Sequence, residues 1–251
     1  MILHGRYELL KKEEIYKIIK PRLQKRSALS ERDAKFVGLT RQEIFTKVYQ
    51  NNLWGKSKDP AFQYYSGDGS TIENSLEYIN LINSFILKHN IKMIVDCGCG
   101  DFKVASNFRV ENYIGVDICK ELIEYNNEKF ANTNVKFLHL DIVEDEIPGA
   151  ELCLIRQVFQ HLSNSDIQKV LSKLDSIKYV IISDEISRRG VKVNEDIPTS
   201  CYLRKKGLYL ESPPFNRKIK VLLQTFTNYN GIIRTLLIVN EKIPNHPIIQ
   251  R

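Results

Sequence analysis

The chain has 251 residues, of which 43% are hydrophobic and 10% aromatic, enough to bury a sizeable core and to exclude global disorder. Its formal charge of +7 is unevenly spread: residues 1–58 carry +8, residues 59–200 carry −8 and residues 201–251 carry +7. Five cysteines without framework spacing exclude a disulfide scaffold, and no signal-peptide core or membrane-length apolar run is present, so a reduced, cytoplasmic protein is expected.

In chain order, Leu9, Leu10, Ile15, Ile18 and Ile19 recur among charges and predict an amphipathic helix over 7–26, stopped or kinked at Pro21. Thr40 with Glu43 three residues on predicts a helix over 40–50 opened by a capping box. Residues 55–71 read as a long loop carrying Tyr64, Tyr65 and Ser66-Gly67-Asp68-Gly69-Ser70, and helical periodicity resumes from about 71 to 87. From there short apolar runs alternate with helices. The runs are Met93–Cys97, Tyr113–Val116, Val135–Leu140, Leu152–Ile155 and Tyr179–Ser183, with helices at 122–130 and 164–174 between them. That alternation predicts βαβ units and a parallel sheet. Val221–Phe226 and Ile232–Val239 flank Asn228-Tyr229-Asn230-Gly231, a hairpin signal, so an antiparallel pair closes the sheet.

The strongest chemical signal is Asp96-Cys97-Gly98-Cys99-Gly100 after the first run. Glycines there let the backbone turn sharply and pass close to a ligand, and a helix after them would offer free N–H groups. The third glycine of a dinucleotide fingerprint is missing, with Asp101 in its neighbourhood, and the Gly-Lys-Ser/Thr of a Walker A loop is absent. Asp117, ending the second run, suits both hydroxyls of a ribose or a helix cap. Asp141 with Ile142, after the third, suits an adenine ring or a turn. Open α/β sheets bind ligands at this edge. Cys97-x-Cys99 lacks zinc-ligand spacing, and Asp184, Glu185 and Asp141 make no clear ligand set, so no metal is expected.

Asp96, Gly98, Gly100, Asp117 and Asp141 resemble, in order and spacing, the class I S-adenosylmethionine-dependent methyltransferases over residues 72–240. Leu53-Trp54-Gly55, the loop at 66–70, Cys99-Gly100-Asp101-Phe102 and Pro213-Pro214-Phe215-Asn216 further resemble bacterial small-molecule methyltransferases of surface-polysaccharide and phosphoramidate chemistry. The resemblance implies an α/β, Rossmann-like, doubly wound, mostly parallel seven-stranded sheet with an antiparallel C-terminal hairpin. It divides the chain into an N-terminal helical extension and lid loop (1–70) and a catalytic domain (71–251) with an insertion at about 186–217.

It also implies S-adenosylmethionine as cofactor and S-adenosylhomocysteine as product. Asp96, Gly98, Gly100, Asp117, Ile118, Asp141, Ile142, Gln157, Ser66 and Gly67 would bind the cofactor, with the loop at 66–70 either closing over its methionine end or simply turning. His161 would be the base for an acceptor oxygen, or a packing residue. Arg156, Tyr65 and Arg204 would meet the acceptor, expected to be a small, chiefly anionic molecule methylated on oxygen (a phosphoramidate, a phosphosugar or a sugar). Further cations able to do so are Arg188, Arg189, Lys205, Lys206 and Arg217, unless they are solvated surface charges. Two rivals stand beside this reading: an RNA or protein methyltransferase using the basic ends, and a non-catalytic subunit that keeps the cofactor fold. A membrane partner and nucleic acid are not expected, and the oligomeric state is open.

Overall fold

A computed structural model of the protein describes residues 36, 38–187, 193–201, 204, 207–226 and 231–241. The helix expected over 7–26 and the basic C-terminal end after 241 lie outside the described residues. The chain divides into two units, 1–39 and 40–251. Of the first, Phe36 is buried and its carbonyl accepts the Leu39 N–H at 3.2 Å. The second holds every described strand and helix.

Helix α1, Arg41–Gln50, opens as its sequence predicts. Thr40 Oγ1 accepts the Glu43 N–H at 3.2 Å, and the Glu43 carboxylate accepts the Thr40 N–H at 2.7 Å, which satisfies two otherwise orphaned donors. Helix α2, Ile72–His89, starts from a Thr71 cap and ends at Asn90 in the left-handed conformation. Its Tyr78, Ile82, Phe85 and Ile86 fall on one face and are buried.

Strands β1 (Met93–Cys97), β2 (Asn112–Asp117), β3 (Val135–His139), β4 (Leu152–Arg156), β5 (Tyr179–Ser187), β6 (Lys220–Phe226) and β7 (Gly231–Val239) form one seven-stranded sheet. Its order is β3-β2-β1-β4-β5-β7-β6: the first five strands are mutually parallel, and β7 runs antiparallel to both β5 and β6. The apolar runs of β1 and β4 in the middle of the sheet are buried on both faces, as parallel strands covered by helices are, whereas the edge strand β3 buries only Phe137. Ile94, Leu152, Leu154 and Ile181 pack on the face that takes α2. Val95, Cys153, Ile155 and Ile182 pack on the opposite face with Ile167, Val170 and Leu171 of helix α4 (Asn164–Lys173). This period-2 split is what makes the fold doubly wound. Each fully buried Ile or Leu contributes about 1.5–3 kcal/mol of transfer free energy. Helix α3, Lys120–Phe130, packs beside β2 and β3.

Two local expectations change. No α-helix follows Gly98-x-Gly100: Phe102 sits at φ +63°, in the left-handed region, and the Ser106 and Asn107 side chains bond back to the Lys103 carbonyl, leaving only a 3-10 turn at Ala105–Asn107. His161 lies in the 3-10 turn Phe159–His161, just before α4, which begins after the Ser163 cap. Strand β5 does not stop at Ser183, because β7 pairs with it along its whole length, including Asp184 against Arg234 and Glu185 against Ile233. The described parts of 186–217 beyond β5 have no regular structure. They are held by Asn194, whose side chain bonds the carbonyls of Tyr209 and Pro213 at 2.8 Å each. Among the described residues no helix is long and apolar enough to cross a membrane.

Candidate active site at the strand ends

The chain leaves β1 through two glycines in the left-handed region, Gly98 at φ +81° and Gly100 at φ +56°. The turn also demands space: a Cβ on Gly98 would stand 2.3 Å from Val158 Cγ2, and one on Gly100 2.5 Å from Ser66 Oγ. The N–H groups of Gly98 and Cys99 both reach the Val116 carbonyl, which bends the loop over the end of β2.

Four carboxylates are fixed around this turn. Asp96 accepts the Tyr113 hydroxyl at 2.9 Å, and burial pushes its pKa up from 3.8 to about 6. Asp117 accepts the Gly100 N–H at 3.1 Å and the Cys119 N–H at 3.0 Å. Burial raises its pKa and these backbone donors oppose the rise. Asp101, directly after the second glycine, forms a reciprocal clasp: it accepts the Ser66 N–H at 3.0 Å while its own N–H reaches Ser66 Oγ at 2.9 Å. It thus ties the 66–70 loop to the glycine turn. Asp141 accepts the Val143 N–H and ion-pairs with Arg41 of α1 at 2.8 Å, while Arg41 also bonds Glu144 and Asp166.

At the end of β4 the backbone again enters the left-handed region, at Gln157 with φ +56°, whose N–H donates to the Ser183 carbonyl. Arg156 Nη2 donates to the Gly69 carbonyl at 2.6 Å and Nη1 to Gln157 Oε1 at 3.3 Å; its guanidinium lies 5.1 Å from the Tyr78 ring centre. Burial lowers the Arg156 pKa. His161 is 6% exposed, with its ring 5.4 Å from Trp54 and 6.1 Å from Phe45.

A single cavity of about 1180 Å³ runs along this edge. It exceeds the roughly 300–1,000 Å³ of most small-molecule sites, room for a cofactor and an acceptor together. Of the predicted site residues, Asp96, Gly98, Gly100, Asp117, Ile118, Asp141 and Ile142 line it, as do Ser66, Gly67, Arg156, Gln157 and His161. Tyr65 and Arg204 are not on its wall. The Tyr65 hydroxyl bonds Asp68, and the buried Arg204 donates to the Glu195 and Leu162 carbonyls. Arg217 bonds Asp175 at 2.7 Å, and Arg188, Arg189, Lys205 and Lys206 lie outside the described residues. Sequence reasoning missed Arg41, Phe45, Tyr78, Asp101 and Glu185, which all line the cavity. Among the described residues no group of three or more His, Cys, Asp or Glu is placed to hold a metal ion, and all five cysteines are free.

Residues 94–177, from β1 to just before β5, match a family model described as a methyltransferase domain. No curated protein matches the chain in sequence. Similar solved structures include the DhpI–SAH complex, with a TM-score of 0.53, 10% identity, and coverage of 80% of this chain and 96% of that one. Magnesium protoporphyrin IX methyltransferase (ChlM) from Synechocystis PCC 6803 with bound SAH gives a TM-score of 0.52 at 13% identity, covering 80% and 99%. The N-terminal domain of EvdMO1 in the presence of SAH and D-fucose gives 0.50 at 12%, covering 80% and 97%. At these identities the likeness is one of fold.

Proposed function

We propose that this chain is an S-adenosylmethionine-dependent methyltransferase that binds its cofactor along the β1–β3 edge and methylates a small molecule held at the β4–β7 end of the same cavity. The observation that carries the reading is the cavity itself, with Asp96, the two left-handed glycines, Asp117 and Asp141 in order along one sheet edge. The residues fit the cofactor. The glycine turn, which a Cβ would fill, allows close backbone approach. The Asp117 carboxylate has lone pairs beyond its two backbone donors for ribose hydroxyls. Ile142 offers an apolar wall to the adenine, and acidic side chains suit a cation.

When bound, S-adenosylmethionine supplies a methyl group already activated on a sulfonium, so the protein's task is alignment and exclusion of water. Two side chains hold the 66–70 loop at the site: Asp101 clasps Ser66, and Arg156 donates to the Gly69 carbonyl, with the Gln157 side chain lying close against Gly69. For a hydroxyl acceptor we assign His161 as the base, the imidazole on the acceptor wall; its packing by Trp54 and Phe45 supports a positioning role as well. The anionic acceptor expected from the sequence draws, among the described lining residues, on Arg156, whose two Nη groups are already bonded within the protein. A mass-spectrometric screen of small acceptors with the purified protein should find a gain of one methyl. Turnover confined to RNA or protein would contradict the small-molecule reading, and none with any acceptor would favour the non-catalytic rival.

A further inference from the structure

Strand β5 outruns β4. Arg156, the last residue of β4, pairs with Ser183, and β5 continues to Ser187 with β7 alongside. Glu185 pairs with Ile233, and Ile233 pairs with Thr225 of β6. Directly paired residues of antiparallel strands share a face. The three therefore form a row, and all three line the cavity beyond the parallel part of the edge. Leu76 of α2 (51% exposed) and Phe226 of β6 (73% exposed) add apolar wall there.

Of the two cations in the described lining, Arg41 is ion-paired with Asp141, Glu144 and Asp166, and Arg156 donates to the neutral Gly69 and Gln157 oxygens while the carboxylates of Asp96, Asp184 and Asp101 act on its charge through space. The Glu185 carboxylate has neither a hydrogen bond nor an ion pair among the described residues, and burial raises its pKa. A half-buried carboxylate in that position gains most from a cation brought to it. A second, independent group stands on the same cavity wall: Tyr78 is 5% exposed, and its hydroxyl has no hydrogen-bond partner among the described residues.

We infer that Glu185 is the specificity-determining residue of the acceptor end and that the acceptor is a small amine with an apolar body. This rests on the cofactor reading above. The bound ammonium gives one N–H proton to the Glu185 carboxylate. The nitrogen lone pair then forms the N–C bond to the methyl carbon as the C–S bond of the methyl sulfonium breaks, its electron pair leaving on sulfur. The products are a methylammonium, a thioether and a protonated Glu185. The row of Ile233 and Thr225 and the apolar Leu76 and Phe226 hold the body of the acceptor.

The test is calorimetry on the full chain loaded with S-adenosylhomocysteine, using probes that share one apolar body: 2-phenylethylamine, 2-phenylethanol and phenyl phosphate. The amine should bind at least about tenfold more tightly than the alcohol, with the phosphate weakest. Glu185→Gln should erase that preference, and Glu185→Asp should keep part of it, with affinity for S-adenosylhomocysteine unchanged in both. An equal or reversed order in the wild type, or a preference that survives Glu185→Gln, overturns the inference. Failure of S-adenosylhomocysteine to bind would instead overturn the cofactor reading, so the two failures are distinct.

Discussion

The two halves of the sheet edge are built differently. Along β1–β3, side chains are fixed by the protein itself: Asp96 by Tyr113, Asp101 by Ser66, Asp117 by two backbone N–H groups, Asp141 by Arg41. Beyond the end of β4, Glu185 of β5 has no such partner among the described residues, the Tyr78 hydroxyl of α2 on the same cavity wall is unpaired among them, and Leu76 of α2 and Phe226 of β6 are exposed. A ligand with one fixed shape is best met by groups already oriented, since ordering them on binding costs free energy. The open half is where an acceptor's own groups complete the bonding.

The largest expected effect comes from breaking the fixed half at its turn. Gly98→Ala forces a side chain into the left-handed region and against a stiff Val158, and should cost about 2–6 kcal/mol. Thermal unfolding should show a large drop in Tm and calorimetry a loss of cofactor affinity; a variant of native stability and affinity would show that the turn is not needed.

Next is Asp96. Its folded pKa of about 6 lies above the unfolded 3.8, so the folded state keeps its proton longer as pH rises. Its contribution to stability is therefore full below about pH 4 and is lost as pH climbs through about 6, by about 2–3 kcal/mol. Denaturant unfolding of wild type and Asp96→Asn at both ends of that window should show the wild type losing more on going up in pH. Parallel pH slopes would mean that Asp96 ionises freely.

A smaller effect is expected at the end of β3. The Arg41 and Asp141 side chains are each 21% exposed, so Arg41→Ala should cost about 0.5–2 kcal/mol, with the loss shrinking as salt is raised. A salt-independent loss would point to packing rather than to the ion pairs.

How much was legible in the sequence depends on the range of the interactions. The apolar runs of β1, β2 and β4, the Thr40 capping box and the Asp-x-Gly-x-Gly turn announce themselves because a few neighbouring residues decide them. The missing helix after Gly100 was hidden because one left-handed residue, Phe102, sets it. The extra length of β5 was hidden because polar Asp184 and Glu185 look like a strand end until β7, some fifty residues later, pairs with them. The same holds in the site. Asp117 and Gly100 are seventeen residues apart and were read together, whereas Arg41 and Asp141 are a hundred apart and Ser66 and Asp101 thirty-five, and nothing local signals either pair.

The central claim, that the glycine turn and the β2 carboxylate hold S-adenosylmethionine, is tested most directly by calorimetric titration of the wild type and Asp117→Ala with that cofactor. The wild type should bind one equivalent, and the variant, which loses both the ribose acceptor and the brace on Gly100, should bind at least about tenfold more weakly while still folding. Equal affinity in the two proteins, or no binding by the wild type, would contradict it.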